Sequence, residues 1–411
     1  MKANPSLCFF LFTAILFVSP NVHAQKARAF RPRPIPNFVV VPTPKAQTQF
    51  GDPLPGLTRE QLAAFAAGIE EFENVESADS GLGPLFNNVS CVSCHSSPAT
   101  GGASNIFVTR FGKLADGHFD PMAEQGGSLL QKSAIDPAAL EKIPEEANVM
   151  VKRQATPLFG LGLIEAIPDA EIWANARRRK PPEIKGRPAM VQDVTTGETR
   201  VGRFGWKAQQ ATLLAFAADA YLNEMGITSR FFPVENAPNG NASLLAQFDH
   251  FSDPEDEVDV VTGKSDIDVV ADFMRFLAPP PFVPGSMARR SGAQLFDAVG
   301  CANCHQPVLM TGSNSIGALD RKPVPLYSDL LLHDMGSLGD GIAQGAASQR
   351  EMKTPPLWGL RASGPYLHDA RATTVDEAIR AHDGEAARVR DRYVKLPPTL
   401  RQQLLDFLDT L

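Results

Sequence analysis

The chain has 411 residues, a formal net charge of −7 and 43% hydrophobic residues, which is enough for two or three globular domains. The mild acidity provides no basic surface for nucleic acid, so no nucleic-acid partner is expected. Its 34 prolines and 32 glycines predict much irregular structure between helices.

The N-terminus has the pattern of a secretory signal peptide. Lys2 precedes an apolar run over Leu7–Val18, and small residues lead to a cleavage site after Ala24. The run is too short to span a bilayer, and Cys8 lies inside it rather than beside the cleavage site, which argues against a lipid anchor. Residues 1–24 are therefore predicted to be removed from an exported protein without a membrane span, located in the periplasm or secreted.

A proline-rich segment and a capped helix follow. Residues 25–55 have a proline density that forbids helix and predicts an extended linker. Thr58 and Gln61 then form a capping-box pattern, and apolar residues follow at helical spacing. The residues that predict this first helix are Leu62, Phe65, Ala66, Ile69 and Phe72.

Two eleven-residue segments, Leu85–His95 and Leu295–His305, share the pattern L-F-x-x-V-x-C-x-x-C-H. Two thiols at this spacing can form thioethers with a porphyrin, and the adjacent imidazole can reach its iron from one side. The pattern predicts two covalently bound c-type haems. The attachment residues would be Cys91, Cys94, Cys301 and Cys304, with His95 and His305 as the proximal iron ligands.

A Cys-x-x-Cys pair has two other common uses. It can be a thioredoxin-like dithiol, or it can supply half of a zinc site. Both pairs here are followed at once by histidine, and the protein is predicted to be exported, which favours haem. Apart from Cys8, the sequence has no further cysteine for a structural disulfide.

The region between the two motifs carries weaker signals. Met190–Phe204 alternates around Thr196-Gly197 and predicts a small β-hairpin. A second helix is predicted over Leu214–Met225, where apolar residues recur on one face, and it ends at Gly226. Asp253–Asp259 is predicted to be a solvated acidic loop. A calcium site is the alternative for this loop, although it lacks EF-hand spacing.

Ala278–Pro284 is the best candidate for a domain boundary, because prolines crowd this stretch. We therefore expect a mainly α-helical fold with two cytochrome c-like haem domains in tandem, joined by a proline-rich linker over residues 279–286. The N-terminal haem domain would span residues 56–278, with loop-rich insertions and the small hairpin. The C-terminal cytochrome c domain would span residues 287–411.

The C-terminal part has a compact plan. A helix is expected from about Met287, followed by the second haem motif and a loop-rich middle. Thr399 and Gln402 form a capping-box pattern for a last amphipathic helix, which presents leucines on one face. Helix, haem loop and closing helix are what a small cytochrome c domain requires.

A second internal repeat supports two related halves. Pro157–Leu161 reads P-L-F-G-L and Pro356–Leu360 reads P-L-W-G-L, each after its own haem motif. A few residues on, the halves diverge where one holds Pro168 and the other His368. Any division of labour between the two haems is therefore expected from residues outside the repeated motifs.

Several segments resemble a known group of proteins. Lys353–Arg361, Gly364–Arg371 and Thr374–Ile379 resemble the C-terminal signature of di-haem cytochrome c peroxidases and their methylamine-pathway relatives. From about Phe50 onward the chain is more similar to the peroxidase-like di-haem oxidoreductase family, formerly called thiol oxidoreductases. The segments that carry this likeness include Gly81–Pro84, Gly160–Asp169, Gly202–Lys207 and Tyr327–Gly336.

The resemblance implies a distal ligand for the C-terminal haem. In the peroxidases, this ligand lies fourteen residues after the histidine of a P-Y-x-H-D motif and is usually methionine. Counted from His368, the position is His382 here, which implies an iron held by His305 and His382. Methionine raises the haem potential relative to histidine, so the order of potentials used by the peroxidases would be flattened or reversed. The alternative is that His382 only lies on a short surface helix.

The N-terminal haem is then the candidate for chemistry. A peroxidatic iron needs an open sixth position and a nearby acid-base group. Glu165 is the candidate for that group, and Arg153 is the candidate for stabilising developing negative charge. The alternative for Glu165 is local capping or pairing. If His118 ligated this iron instead, the haem would be closed to substrate.

The leading hypothesis is an exported di-haem c-type cytochrome acting as an oxidoreductase, in which electrons pass through the C-terminal haem to a peroxidatic N-terminal haem. Small redox proteins such as cytochromes or cupredoxins would donate electrons, and peroxide or another small oxidant would accept them. Trp206 is the candidate for an aromatic relay between the haems. One alternative is a non-enzymatic electron-transfer cytochrome with both irons six-coordinate. Another makes the Cys-x-x-Cys pairs working dithiols.

Overall fold

The computed structural model describes Met1, residues 48–283 and residues 287–411, with only the backbone of Met287 and Ala288. The predicted signal peptide beyond Met1, residues 25–47 of the first linker and residues 284–286 of the second lie outside the described residues. The α-helices are α1 Arg59–Glu73, α2 Leu161–Glu165, α3 Asp169–Arg177, α4 Leu213–Ala220, α5 Ala242–Phe248, α6 Asp266–Phe276, α7 Met287–Val299, α8 Val375–Ala381, α9 Ala387–Val394 and α10 Pro398–Leu408. In this part of the chain, no helix is long and apolar enough to cross a membrane.

The strands are short, and they are more numerous than the single predicted hairpin. They are β1 Leu85–Phe86, β2 Phe107–Ala115, β3 His118–Asp120, β4 Leu129–Leu130, β5 Ser133–Ala134, β6 Val149–Gln154, β7 Ala189–Gln192, β8 Thr199–Gly202, β9 Leu309–Met310, β10 Pro323–Val324, β11 Leu332–Asp334 and β12 Glu351–Lys353. The predicted hairpin is confirmed as the antiparallel pair β7 and β8. The mainly helical fold therefore carries several small sheets as well.

The largest sheet is an antiparallel insertion after the first haem motif. The long strand β2 pairs with β3, β4 and β6, and its register with β6 places Val108 opposite Arg153 and Arg110 opposite Val151. Directly opposed residues share a face of the sheet, and so do residues two apart along a strand. The register therefore brings the side chains of Arg110 and Arg153 to one face, which is the face that lines a cavity described below.

Helix α1 forms as its capping box predicts. The Thr58 hydroxyl accepts a hydrogen bond from the Gln61 amide, and the Gln61 side chain accepts one from the Thr58 amide. The helix packs against α6 through Gly68, where a Cβ atom would lie 2.6 Å from the Cβ of Phe273. Because glycine lacks that atom, the two helices approach closely beside the first haem motif.

The second predicted helix is confirmed with a change of pitch. It runs as α4 and then widens into a π-helical turn over Tyr221–Met225. It ends at Gly226, as predicted, in a left-handed conformation with φ of 68° that glycine adopts without steric cost. A π turn inside an α-helix is rare and is frequent at functional sites.

Two local predictions are wrong in detail. Helix α10 begins at Pro398, and no side chain caps it, so the predicted Thr399 and Gln402 capping box is absent. Proline at the first helical position has no N–H group that needs a cap. The acidic loop over Asp253–Asp259 is only partly solvated, because the Asp256 carboxylate is buried and accepts hydrogen bonds from Ser265 and the Asp266 amide at the start of α6.

Residues on both sides of the second proline-rich linker share one hydrophobic core. Phe273 and Leu277 pack in the same cluster as Leu331 and Trp358. The two P-L-x-G-L repeats meet here, since a Cβ on Gly160 would lie 2.9 Å from the indole of Trp358. A second cluster joins α7 and α10 through Phe296, Phe407 and their neighbours. The two halves are therefore packed against each other by extensive apolar contact.

Candidate functional site

The first Cys-x-x-Cys-His segment forms one tight turn beside a cavity of about 190 Å³. The amide of His95 donates to the Cys91 carbonyl at 3.1 Å, and this turn brings Cys91, Cys94 and His95 to the cavity wall. The His95 Nδ1 lies 2.9 Å from the Gly102 carbonyl oxygen. A carbonyl can only accept, so Nδ1 carries the hydrogen and Nε2 is left with a free lone pair. We call this space the N-terminal cavity.

The second segment repeats the arrangement beside a cavity of about 290 Å³. The His305 amide donates to the Cys301 carbonyl at 2.9 Å, and the His305 Nδ1 lies 3.0 Å from the Tyr327 carbonyl oxygen. Burial, with a contribution from His382, lowers the pKa of His305 to about 4, so its imidazole is neutral near pH 7. A neutral imidazole with Nδ1 held by a carbonyl is the form that binds a metal through Nε2. We call this space the C-terminal cavity.

The distal side of the C-terminal cavity holds a second histidine. His382 ends helix α8, and its Nδ1 lies 2.8 Å from the Ala378 carbonyl oxygen, which again leaves Nε2 free. The ring centroids of His305 and His382 are 6.4 Å apart. Two imidazoles that each bond one metal ion at about 2 Å require a separation of about 6 Å. The pair therefore fits one iron between them.

The cysteines do not have the surroundings of a working dithiol. Burial raises the pKa of both Cys91 and Cys301 to about 12, whereas reactive dithiols need a lowered thiol pKa. Among the described residues, no cluster of metal-binding side chains gathers both cysteines of a pair, as a zinc site would need. Partly buried thiols next to a histidine at a cavity fit covalent haem attachment.

The N-terminal cavity holds ionisable side chains that the sequence analysis missed. Arg110 from β2 lines it together with Asp219 from α4 and Glu224 from the π turn. Burial raises the pKa of both Asp219 and Glu224, and the charge of Arg110 opposes that rise. Asn87 donates to the Glu224 carboxylate at 3.0 Å and orients it. This arrangement gives the cavity two carboxyl groups beside a guanidinium.

Arg153 lines the same cavity, in agreement with its predicted place beside the N-terminal haem. Its guanidinium pairs with the buried carboxylate of Asp340 at 2.6 Å, and Lys207 pairs with the other oxygen of that carboxylate at 3.1 Å. Burial lowers the pKa of Arg153 to about 10, so the group stays charged near pH 7. Two cations around one carboxylate leave a net positive charge next to the cavity.

Two other predicted residues lie elsewhere. Glu165 lines neither cavity in the described part of the chain, because its carboxylate accepts from the Leu213 amide and from Arg275, each at 2.8 Å. It caps the start of α4, which is the local role that was its alternative. His118 is exposed at the start of β3 and also lines neither cavity. Neither residue therefore lies beside the first Cys-x-x-Cys-His segment, as the sequence-based hypotheses required.

The signal for the missed residues was present in the sequence. Asp219, Asn223 and Glu224 are the polar side chains of an otherwise apolar predicted helix. Polar groups in such a helix are expected only where they find a partner or a cavity. The change to a π turn then decides which of them face the cavity, and this change is not visible in the apolar periodicity.

Trp206 and Gln154 line both cavities and so form part of the wall between them. The indole Nε1 donates to the Gln154 carbonyl at 2.9 Å. The ring of Trp206 also meets that of His368 edge to face, with centroids 6.2 Å apart. His368 lines the C-terminal cavity, and burial lowers the pKa of His368 to about 4, so it is neutral.

Comparison with known proteins identifies a family for the larger part of the chain. A family model described as "Di-haem oxidoreductase, putative peroxidase" matches residues 131–411. The match includes the second Cys-x-x-Cys-His motif and begins after the first one. No curated protein sequence matches the chain significantly.

Three solved structures have distant similarity. One chain of Kuenenia stuttgartiensis hydrazine synthase, determined under xenon pressure, is 16% identical with a TM-score of 0.39 and covers 93% of this chain and 100% of its own. A MauG-like protein associated with microbial copper homeostasis is 15% identical with a TM-score of 0.39, over 92% of this chain and 95% of its own. The diheme peroxidase BthA from Burkholderia thailandensis is 12% identical with a TM-score of 0.39, over 90% of each chain. Nothing about activity follows from similarity at this level.

Proposed function

Because the chain belongs to the di-haem oxidoreductase, putative peroxidase, family, we propose that it carries two haems and reduces a small oxidant, with peroxide as the leading substrate. The two haems would be attached through Cys91 and Cys94 in the N-terminal cavity and through Cys301 and Cys304 in the C-terminal cavity. Partly buried thiols on each cavity wall and a histidine of lowered pKa beside each pair support this attachment.

The observation that carries the proposal is the difference between the two cavities. In the C-terminal cavity, His305 and His382 would both bind the haem iron, which would leave no position for a substrate. In the N-terminal cavity, His95 is the only histidine among the described lining residues. We assign electron transfer to the C-terminal haem and reaction with the oxidant to the N-terminal haem.

The residues of the N-terminal cavity suit peroxide reduction. A haem iron with an open axial position supplies the redox chemistry, which takes two electrons and two protons and yields two water molecules. Burial raises the pKa of Glu224 and of Asp219, which favours the protonated form of each carboxyl group and makes both candidates for the proton donor. Arg110 and Arg153 stabilise the negative charge that develops as the O–O bond breaks.

A ferric optical spectrum followed by peroxide-dependent reoxidation tests this proposal. We expect one low-spin and one high-spin haem in the ferric protein, because only one iron has two histidines. Chemically reduced protein should be reoxidised by hydrogen peroxide faster than a six-coordinate control cytochrome. A purely low-spin spectrum without peroxide-dependent reoxidation would overturn the proposal.

One observation favours a second candidate function, electron transfer without catalysis. Met225 and Met274 also line the N-terminal cavity, and a thioether sulfur is a common sixth ligand of haem iron. If either methionine binds the iron, both haems are closed. Replacing each methionine by leucine would then convert one low-spin haem to high spin, whereas the first proposal expects no change.

Export and electron supply by small redox proteins, both predicted from the sequence, are part of the proposed function. Covalent c-type haem and an N-terminal signal segment both suit the periplasm or a secreted state. Small redox proteins such as cytochromes or cupredoxins would supply electrons at the C-terminal haem. Fractionation of producing cells should find a haem-staining band outside the cytoplasm, and this band should survive denaturing electrophoresis. Loss of the stain on denaturation would exclude thioether attachment.

A further inference from the structure

Three carboxylates meet away from both haem cavities. Glu235 lies in the chain segment between α4 and α5, and Asp253 and Glu255 belong to the acidic loop before α6. One carboxylate oxygen from each lies within 4.8 Å of the others. The cluster packs under the Gly81–Pro84 segment, since a Cβ on Gly81 would lie 3.0 Å from the Glu255 Cβ.

Glu235 is the unusual member of this cluster. The residue is 7% exposed, and both of its carboxylate oxygens are buried without a hydrogen-bond partner among the described residues. A buried carboxylate without any donor costs several kcal/mol in a protein interior. Protonation would satisfy at most one of the two oxygens, because the other would still lack a donor. A ligand that contacts both oxygens removes this cost.

The charges around Glu235 favour a cation. The charged neighbours that act on its carboxylate are all acidic, namely Glu255, Asp249 and Asp253. Thr228 orients two of the acids: its hydroxyl donates to Asp253 at 2.9 Å, and its backbone amide donates to Glu255 at 2.7 Å. These contacts fix the two carboxylates and leave the cluster without a neutralising side chain.

A backbone oxygen completes the set. A Cβ on Gly83 would collide with both the Gly226 carbonyl oxygen and the Glu235 Oε1, so these two oxygens are near neighbours. The available donors are therefore carboxylate and carbonyl oxygens, with neither nitrogen nor sulfur among them. This set suits a hard divalent cation, and calcium fits several fixed protein oxygens better than magnesium, which demands a near-ideal octahedron and keeps several of its waters.

We propose that Glu235, Asp253 and Glu255 bind a calcium ion that fastens the acidic loop to the Gly81–Pro84 segment. The ion replaces the missing partners of Glu235 and links the loop before α6 to the segment that leads into the first haem motif. With three carboxylates and partial exposure, the Kd is expected between about 10⁻⁵ and 10⁻³ M. The proposal does not depend on what the haems do.

Calcium titration of the purified holoprotein tests the site. After treatment with EDTA and desalting, isothermal titration should detect one calcium ion bound per chain, and magnesium at the same concentration should bind at least tenfold more weakly. Saturating calcium should raise the Tm by about 5 °C. An unchanged Tm without binding heat, or equal binding of magnesium, would overturn the proposal.

Two variants and a control connect the binding to these residues. Glu235→Gln should weaken calcium binding at least tenfold and remove the calcium-dependent rise in Tm. Asp253→Asn changes an exposed side chain, so it should fold normally and should also weaken binding. Glu257→Gln makes the same charge change at an exposed residue of the loop outside the cluster, and it should bind like the wild type. Wild-type affinity in Asp253→Asn and Glu235→Gln together would place the ion elsewhere.

Discussion

At the scale of single residues, three histidines have the same hydrogen bond from the ring to the backbone. His95, His305 and His382 each direct Nδ1 at a backbone carbonyl, at 2.9, 3.0 and 2.8 Å. The carbonyl fixes the tautomer and the ring orientation, so that Nε2 is held ready before a metal arrives. His118 also directs Nδ1 at a backbone carbonyl, that of Asp116 at 3.0 Å, but its exposed ring lines neither cavity in the described part of the chain.

Removing the distal histidine should open the C-terminal iron. We expect His382→Ala to convert one haem from low spin to high spin, because His305 then remains as its only histidine ligand. The ferric optical and electron paramagnetic resonance spectra measure the change. His118→Ala is the matched control and should leave both haems as they are. An unchanged spectrum in His382→Ala would remove this residue from the ligands.

Proton delivery is expected to depend on Glu224. Glu224→Gln should lower the rate of peroxide-dependent reoxidation by about 10²-fold, because an amide cannot transfer the proton that the carboxyl group supplies. Stopped-flow absorbance on reduced protein measures the rate. Asp219→Asn tests the neighbouring carboxyl group in the same way.

Glu165→Gln distinguishes the sequence-based candidate from this assignment. Its carboxylate binds Arg275 and the Leu213 amide, so the substitution should lower the free energy of unfolding by about 1 kcal/mol and leave the peroxide rate nearly unchanged. A loss of rate in Glu165→Gln as large as that in Glu224→Gln would restore Glu165 as the acid-base group.

The pKa of Glu235 gives a dependence of stability on pH. Burial, with Glu255, Asp249 and Asp253, raises the pKa of Glu235 from 4.5 to about 9. Without calcium, the folded protein keeps a proton that the unfolded chain releases, so stability should fall as pH rises from about 5 to 9, by at most about 1.4 kcal/mol per pH unit. Urea unfolding in EDTA measures this slope. Glu235→Gln has no titrating group at this position, so its stability should depend less steeply on pH. A slope equal to that of the wild type would show that Glu235 does not cause the pH dependence.

At the scale of elements, the π turn after α4 contributes most to the site. It places Asn223 and Glu224 on the N-terminal cavity while Tyr221 reaches Glu71 of α1 with its hydroxyl at 3.0 Å. A regular helix advances 100° per residue, whereas the wider turn advances less and brings more consecutive residues to one side. One local change in pitch thus adds Asn223 and Glu224 to a cavity wall that already carries Arg110, Arg153 and Asp219.

The close contact between α1 and α6 can be tested by adding bulk at Gly68. Gly68→Val should lower the free energy of unfolding by about 1–3 kcal/mol, because the new side chain would meet Phe273 and the Val269 carbonyl. Ala67→Val is the matched control on the exposed side of the same helix, and it should cost only about 0.5 kcal/mol. Chemical denaturation measures both, and equal losses would exclude close packing at Gly68.

Some of these elements follow from the sequence because their causes are local. The capping box of Thr58 and the glycine at 226 act within a few residues, and both helices begin or end where they predict. The sheet around β2 was not predicted, because its strand β6 lies about forty residues away and the register depends on their pairing. Glu165 and Glu224 differ in the same way: Glu165 was selected for its place in the glycine-rich stretch after Pro157, whereas tertiary packing brought Glu224 to the cavity.

At the scale of the whole molecule, Trp206 lies in the wall between the two cavities. If electrons pass through this wall, Trp206→Phe should slow the reoxidation of the C-terminal haem by peroxide. Phenylalanine is harder to oxidise than tryptophan, and it cannot donate the hydrogen bond to the Gln154 carbonyl. Stopped-flow spectra that resolve the two haems measure the rate. The reaction of peroxide with the N-terminal haem should stay unchanged, and equal slowing of both steps would indicate a structural effect instead.

The turn at Pro157–Leu161 belongs to both cavities, with Leu158 on the N-terminal one and Phe159 on the C-terminal one, and Trp358 packs on its Gly160. A single loop therefore forms part of the wall between the N-terminal and the C-terminal cavity. In the proposed function, the distance that an electron would cross between the haems would be set by the thickness of this wall and not by the length of the proline-rich linker. Lengthening the linker would leave this distance as it is, whereas thickening the wall by one side chain would push the two irons apart.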